Sequence, residues 1–230
     1  MKIITIQNCE IESFGVFEKY LVDRSIPYDT YHAYRENNPP DIDQYDAVLV
    51  GGTPVAVYDI DRHPFMQAEA AFLRAAIEKN IPCLGVCAGA QLLAHVLGAT
   101  VTKSPQKEIG AYEVRLTDAG IDDPLFGSFP NPFPVFHWHG DMFGIPPGGS
   151  LLATGENCPH QAFRKGRTVG LQFHLEITCR EAGVWAEAYA DELAAFGKDR
   201  DEFLADCREY EATRLPLAGK LLGNFLRDLS

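Results

Sequence analysis

The chain has 230 residues, enough for one hydrophobic core of ordinary size. Hydrophobic residues make up 46% and charged residues 23% of it, a balance that excludes disordered, collagen-like and coiled-coil chains. With 20 Lys and Arg against 32 Asp and Glu the net charge is −12, a field that repels phosphate backbones and anionic lipid, so neither a nucleic-acid nor a membrane partner is expected.

The opening run Met1-Lys-Ile-Ile-Thr-Ile-Gln-Asn is broken at Thr5 and ends at Gln7, shorter than a signal-peptide core. No window approaches the roughly 18 apolar residues of a spanning helix, and a cytoplasmic location is expected. Residues 2–7, 28–34, 47–50 and 81–86 read as short strands, the last two apolar enough to be buried on both faces. Between them, Ser13 is placed to cap a helix carrying Phe14, Phe17 and Leu21, and Pro64 to open a second carrying Phe65, Phe72, Ala76 and Ile77. Strand and helix in alternation predict a parallel sheet covered on both faces.

From Glu108 to Phe173 the pattern becomes short β segments punctuated by Gly and Pro: 112–116, 135–138, 151–153, 161–164 and 169–173. Gly148-Gly149 lacks a following phosphate-loop Lys and reads as a turn. Beyond Thr178 the chain is helical, with Trp185, Tyr189, Leu193 and Phe196 on one stripe, predicted to face the core, and a closing helix bearing Leu222, Phe225, Leu226 and Leu229. Residues 1–230 show no repeat or linker and read as a single domain with a helical segment at about 178–216.

Cys9, Cys83, Cys87, Cys158, Cys179 and Cys207 include no CxxC pair and are expected to be reduced thiols. One of them stands apart. In Pro82-Cys-Leu-Gly-Val-Cys-Ala-Gly-Ala-Gln-Leu-Leu an apolar strand enters Gly85-x-Cys87-x-Gly89 and then a helix, the strand-turn-helix setting of a nucleophile elbow. Glycines relieve the crowding of such a turn, and the helix N-terminus favours a thiolate. The plain alternative is a buried cysteine acting as a small hydrophobe, which is the reading for Cys83. A second element, Gly170-Leu-Gln-Phe-His174-Leu-Glu176, spaces an imidazole and a carboxylate two apart on an extended segment, so both project to one side as a base and its orienter.

Gly-Val-Cys87-Ala-Gly-Ala-Gln91 and Gln-Phe-His174-Leu-Glu176, with Gly51-Gly52, His139-Gly140-Asp141 and Gly219-Lys-Leu-Leu-Gly-Asn224-Phe-Leu, resemble the class I, triad-type glutamine amidotransferases, in particular the glutaminase domain of GMP synthetase. The resemblance implies a flavodoxin-like α/β fold, a largely parallel, mixed sheet flanked by helices. It implies Cys87, His174 and Glu176 as the triad, the backbone N–H groups of Gly52 and Ala88 as the oxyanion hole, and Gln91, Gly140 and Asp141 as holders of the glutamine's amino-acid end. It implies no metal or organic cofactor, and ammonia passed to a separate synthase subunit, since the Ser-Gly-Gly-x-Asp-Ser loop of the bifunctional relatives does not occur here. Leu175, often proline in the family, and Gly51-Gly-Thr-Pro54, where Gly-Gly-Pro is common, depart from the pattern. Two alternatives stand beside this one: a stand-alone γ-glutamyl peptidase with the same triad, and a non-catalytic binding subunit. His137 and His139 project together as zinc ligands do, with Cys158 and His160 conceivable as further ligands, but the spacing fits no structural-zinc pattern and the pair is assigned to packing and the substrate loop.

Overall fold

The computed structural model describes residues 1–36 and 38–227. Its centre is a run of buried strands: β1 (Ile3–Gln7), β3 (Ala47–Val50) and β4 (Cys83–Val86), with β2 (Tyr28–His32) at the edge. Successive residues point to opposite faces. Ile3, Ala47, Leu49 and Leu84 therefore pack on one side against α1 (Gly15–Asp23) and the C-terminal half of α7 (Arg200–Arg227), where Phe17, Leu21, Leu221 and Phe225 are buried. Ile4, Ile6, Val48 and Val50 pack on the other against α2 (Pro64–Glu78) and α3 (Ala88–Val96), through Phe72, Leu73, Leu92 and Leu93.

Among the described residues nine strands run in the order β2-β1-β3-β4-β9-β8-β7-β5-β6, with β5 (Val101–Leu116), β6 (Phe133–Phe143), β7 (Ser150–Thr154), β8 (Ala162–Lys165) and β9 (Thr168–Leu171). Pairings from β2 to β9 are parallel and those from β9 to β6 antiparallel, so the sheet is mixed. A short helix, α4 (Asp118–Asp122), is capped by Thr117. Over β5 and β6 lies a third apolar cluster, in which Trp185, Leu193 and Phe203 cover Ile109, Phe136 and Trp138, so the stripe faces the core as the pattern predicts.

Four boundaries differ from the sequence pattern. Ser13 does not cap α1: the helix begins at Gly15 behind Phe14 with no side-chain cap, and Val16 N–H donates to the Glu176 carbonyl at 2.9 Å instead. β5 starts at Val101, its polar first half paired with β6 across a register shift between Lys103 and Glu108. The Trp185 stripe is divided at Tyr189 into α5 (Cys179–Ala188) and α6 (Ala190–Ala195). The last helix does not begin at Pro216 but runs through it from Arg200. Proline costs a helix one backbone bond. Here Phe203, Leu204 and Cys207 anchor the helix before it, and Leu217, Leu221 and Phe225 anchor it after. Leu229 lies outside the described residues, among which no helix is long and apolar enough to cross a membrane.

Candidate active site

The carboxyl ends of β3, β4 and β9 converge on Cys87. This residue joins β4 to α3 with φ +54° and ψ −117°, a backbone conformation that side chains rarely adopt and that costs about 1–3 kcal/mol. Its surroundings hold it there. Cys87 N–H donates to Leu171 O at 2.7 Å, and the Cys87 carbonyl accepts from Gln91 N–H at 3.1 Å. The flanking glycines are required by space: a Cβ on Gly85 would stand 2.7 Å from the Gly89 backbone, and one on Gly89 would stand 2.3 Å from Val50 O.

His174 follows β9 and is fixed by a two-way backbone bridge to Phe136 of β6, with N···O distances of 2.8 and 2.9 Å. Its Nδ1 lies 2.7 Å from Glu176 Oε1; a carboxylate can only accept, so Nδ1 carries the proton. Glu176 Oε2 accepts from Leu175 N–H at 3.0 Å, and Arg214, buried in α7, donates to Leu175 O at 2.9 Å. His174 Nε2 has no ordinary hydrogen-bond partner. Burial alone would pull the imidazole pKa down, but the Glu176 charge and Cys87 outweigh it and raise it to about 10. Trp185 meets the ring edge-on with centroids 5.1 Å apart.

Gly52 is beside the sulfur: a Cβ placed on it would be 3.6 Å from Cys87 Cβ. Its neighbour Gly51 is tied at both ends, N–H to Ile6 O at 2.9 Å and carbonyl to Asn8 Nδ2 at 3.2 Å. Ala88 opens α3 next to Cys87. Gln91 Nε2 donates to Asp141 O and to Gln172 Oε1, each at 3.2 Å, so Gln91 braces the 140–141 backbone. Asp141 Oδ1 pairs with Lys103 at 2.9 Å, and Gly140 leaves room for the Lys107 stem, whose Cε would be 3.1 Å from a Cβ there.

Cys87, Ala88, Gln91, Gly140, Asp141 and His174 share the wall of one cavity of about 230 Å³. Glu176 and Gly52 are set back from that wall. The eight residues singled out in the sequence thus meet in one place. Others on the wall carried no sequence signal, notably Glu12, Tyr58, Lys103 and Lys107. Glu12 accepts from the Tyr189 hydroxyl at 2.9 Å. Glu192 accepts from Trp138 Nε1 at 2.9 Å and pairs with Lys107 at 2.5 Å, and these partners outweigh burial and lower its pKa. Tyr189 and Trp185 were visible only as an apolar stripe; the divided helix turns them to the cavity as well as the core.

The His-x-His pair acquires a third member from β5. Glu108, His137 and His139 present ligand atoms within 4.8 Å of one another, all buried. His139 uses both ring nitrogens on the protein, Nε2 with Glu108 and Nδ1 with Asp141 O, each at 2.9 Å, which ties the 140–141 backbone to β5. His137 lies 3.6 Å from Glu108, and burial holds its pKa well below the ordinary range. Cys158 and His160 turn away, to Met142 Sδ at 4.0 Å and Phe143 O at 2.8 Å.

Comparison with known proteins identifies the family of this chain. Residues 11–186 match the model of the family described as "Glutamine amidotransferase class-I". The chain is 33% identical to the glutamine amidotransferase-like protein YfeJ of Salmonella typhimurium, over 100% of this chain and 98% of that one. It is 34% identical to the GMP synthase of Thermomicrobium roseum over 66% of this chain, which there spans only 26% of the relative. Among solved structures, a glutamine amidotransferase from Thermotoga maritima superposes with a TM-score of 0.91 at 32% identity, covering 98% of each chain. A glutamine amidotransferase from Methylobacillus flagellatus gives 0.89 at 26% identity, over 100% of this chain and 95% of that one. The chain belongs to the class-I glutamine amidotransferase family.

Proposed function

We propose that the chain hydrolyses the γ-amide of glutamine through Cys87, His174 and Glu176. The observation that carries this reading is Cys87 held at positive φ on a cavity wall shared with His174, whose Nδ1 is committed to Glu176. The Cys87 thiolate attacks the γ-carbon, forming the C–S bond while the carbonyl π pair moves to oxygen. Backbone N–H groups of Gly52 and Ala88 receive that oxyanion, a contribution of about 3–4 kcal/mol per donor at such sites. Collapse breaks the C–N bond as the His174 imidazolium gives its Nε2 proton to the leaving nitrogen, releasing ammonia. His174, now neutral, takes a proton from water, which adds to the γ-glutamyl thioester and expels the thiolate with glutamate. Glu176 fixes the ring and stabilises its charged form throughout. Gln91, Gly140 and Asp141 hold the amino-acid end, with Lys103 beside Asp141 as a cation for the α-carboxylate.

The ammonia would serve a synthase subunit. The GMP synthases that this chain matches over a quarter to a third of their length are the basis of that proposal. A γ-glutamyl peptidase remains the second reading, because the wall beyond His174 continues to Trp185, Tyr189 and Glu192, leaving space for an amine larger than ammonia. Glutamate release from glutamine and from a panel of γ-glutamyl dipeptides by the purified chain separates the two. Turnover of glutamine above the dipeptides supports the glutaminase; the reverse order supports the peptidase; release from none by wild type, with Cys87→Ala identical, rejects both.

A further inference from the structure

Glu12 sits in the loop after β1, on the cavity wall. Its Oε1 is satisfied by the Tyr189 hydroxyl at 2.9 Å. Its Oε2 has no hydrogen bond or ion pair among the described residues. That oxygen lies 2.7 Å from where a Cβ on Gly52 would stand, and the same point is 3.6 Å from Cys87 Cβ. Glycine at 52 thus does more than free a backbone N–H. It makes room for a carboxylate beside the nucleophile.

The other acidic side chains of the cavity each have a cation: Asp141 has Lys103 at 2.9 Å and Glu192 has Lys107 at 2.5 Å. Glu12 has none. Burial pushes its carboxyl up from the ordinary range, with Tyr189 and His174 pulling back. Such a group is unfavourable unless something donates to it. Glu12 is half-buried on the cavity wall, so solvent reaches it in the empty cavity, and a ligand that displaces that solvent has to bring a donor of its own.

On the glutaminase reading, on which this inference rests, the substrate has one set of donors near this point. The γ-carbonyl oxygen is directed to the Gly52 and Ala88 amides, and the γ-nitrogen must face His174 to receive its proton. Glu12 is next to the first of these and shares a wall with the second: Oε2 borders Gly52, and Glu12 and His174 line the same cavity. We propose that Glu12 binds the leaving nitrogen of the substrate, its Oε2 accepting an N–H of the γ-amide. The same carboxylate repels the γ-carboxylate of glutamate, which carries a like charge and no proton to donate. Glu12 is on this account a specificity residue that distinguishes substrate amide from product acid and assists product release.

The test uses the full chain with chemistry blocked by Cys87→Ala, titrated calorimetrically with L-glutamine and with L-glutamate, with and without Glu12→Gln. The Cys87→Ala chain should bind glutamine at least about tenfold tighter than glutamate. Adding Glu12→Gln, which removes a buried charge and offers an amide donor, should shrink that preference about tenfold, chiefly through tighter glutamate. In the chain with Cys87 intact, Glu12→Gln should lower the inhibition constant of glutamate relative to the KM of glutamine by a similar factor, and Glu12→Asp should recover part of the discrimination. An unchanged preference in Glu12→Gln overturns the assignment of Glu12 alone. Failure of Cys87→Ala to bind glutamine at all overturns the glutaminase reading along with it.

Discussion

Glu69 makes a sharp prediction, because it is an ionisable group with no exposure to solvent that braces the candidate oxyanion loop. It lies in α2 at 0% exposure. Its Oε1 accepts from Asn8 Nδ2 at 3.0 Å, and the same nitrogen donates to Gly51 O at 3.2 Å. Asn8 Oδ1 and Glu69 Oε2 are left without partners; a proton on the carboxyl turns one of two orphaned acceptors into a donor. Burial raises the Glu69 pKa from 4.5 to about 8, against a smaller opposing effect of Asn8. The unfolded chain releases this proton near 4.5 and the folded chain near 8, so between those values the folded state binds more protons and stability falls as pH rises. The gap corresponds to about 5 kcal/mol over the whole window, or about 1.4 kcal/mol per pH unit, an upper value because a buried site relaxes when charged. Glu69→Gln keeps the acceptor for Asn8 and has nothing to titrate. Urea unfolding of wild type and Glu69→Gln from about pH 5 to about pH 8 should therefore diverge steadily in favour of the variant, then level off above. Parallel stability curves would refute the claim that Glu69 is folded as a neutral acid.

Of the six cysteines, Cys87 should be alkylated first by brief iodoacetamide treatment near neutral pH, since it opens on the cavity, whereas burial raises Cys83 and Cys207 to about 12 and Cys179 to about 11. Peptide mass spectrometry reads the order, and an unmodified Cys87 beside a modified Cys83 would count against the elbow. Gly89→Ala should push α3 off the Gly51 loop, because its Cβ would stand 2.3 Å from Val50 O and 2.7 Å from Gly51 O. We expect a loss of about 1–3 kcal/mol in urea unfolding and a fall in kcat larger than any change in KM. Arg214→Met removes the donor to Leu175 O and a buried positive charge near Glu176; it should cost about 2–4 kcal/mol and raise the His174 pKa in an NMR titration, because the Glu176 charge then acts on the imidazolium alone.

Much of the sheet and of the site was legible because it rests on local pattern. Apolar runs at β3 and β4 mark strands buried on both faces, Pro64 opens α2 as its fixed φ favours, and two glycines bracket Cys87 where a Cβ would collide. His174 and Glu176 are two apart, so their meeting at 2.7 Å needs only an extended backbone. What was not legible depends on segments distant along the chain. Glu12 is one of 32 acidic residues, and its meaning comes from Tyr189, 177 residues on, and from the space at Gly52. Arg214 reads as an ordinary helix charge until it is found against Leu175 O. Ser13 has the right chemistry for a cap, but the Glu176 carbonyl accepts the Val16 N–H and fixes the helix start one residue later. Pro216 reads as a break, and only packing on both sides of it carries α7 through.

The central claim is that Cys87 becomes covalently bonded to the γ-carbon of the substrate. The direct measurement is peptide mapping of the chain mixed with glutamine and quenched in acid within the first turnovers. A γ-glutamyl group on the peptide containing Cys87, present in wild type and absent in Cys87→Ala, is the predicted result. Glutamate released by wild type with no adduct on Cys87, or released equally by Cys87→Ala, would contradict it.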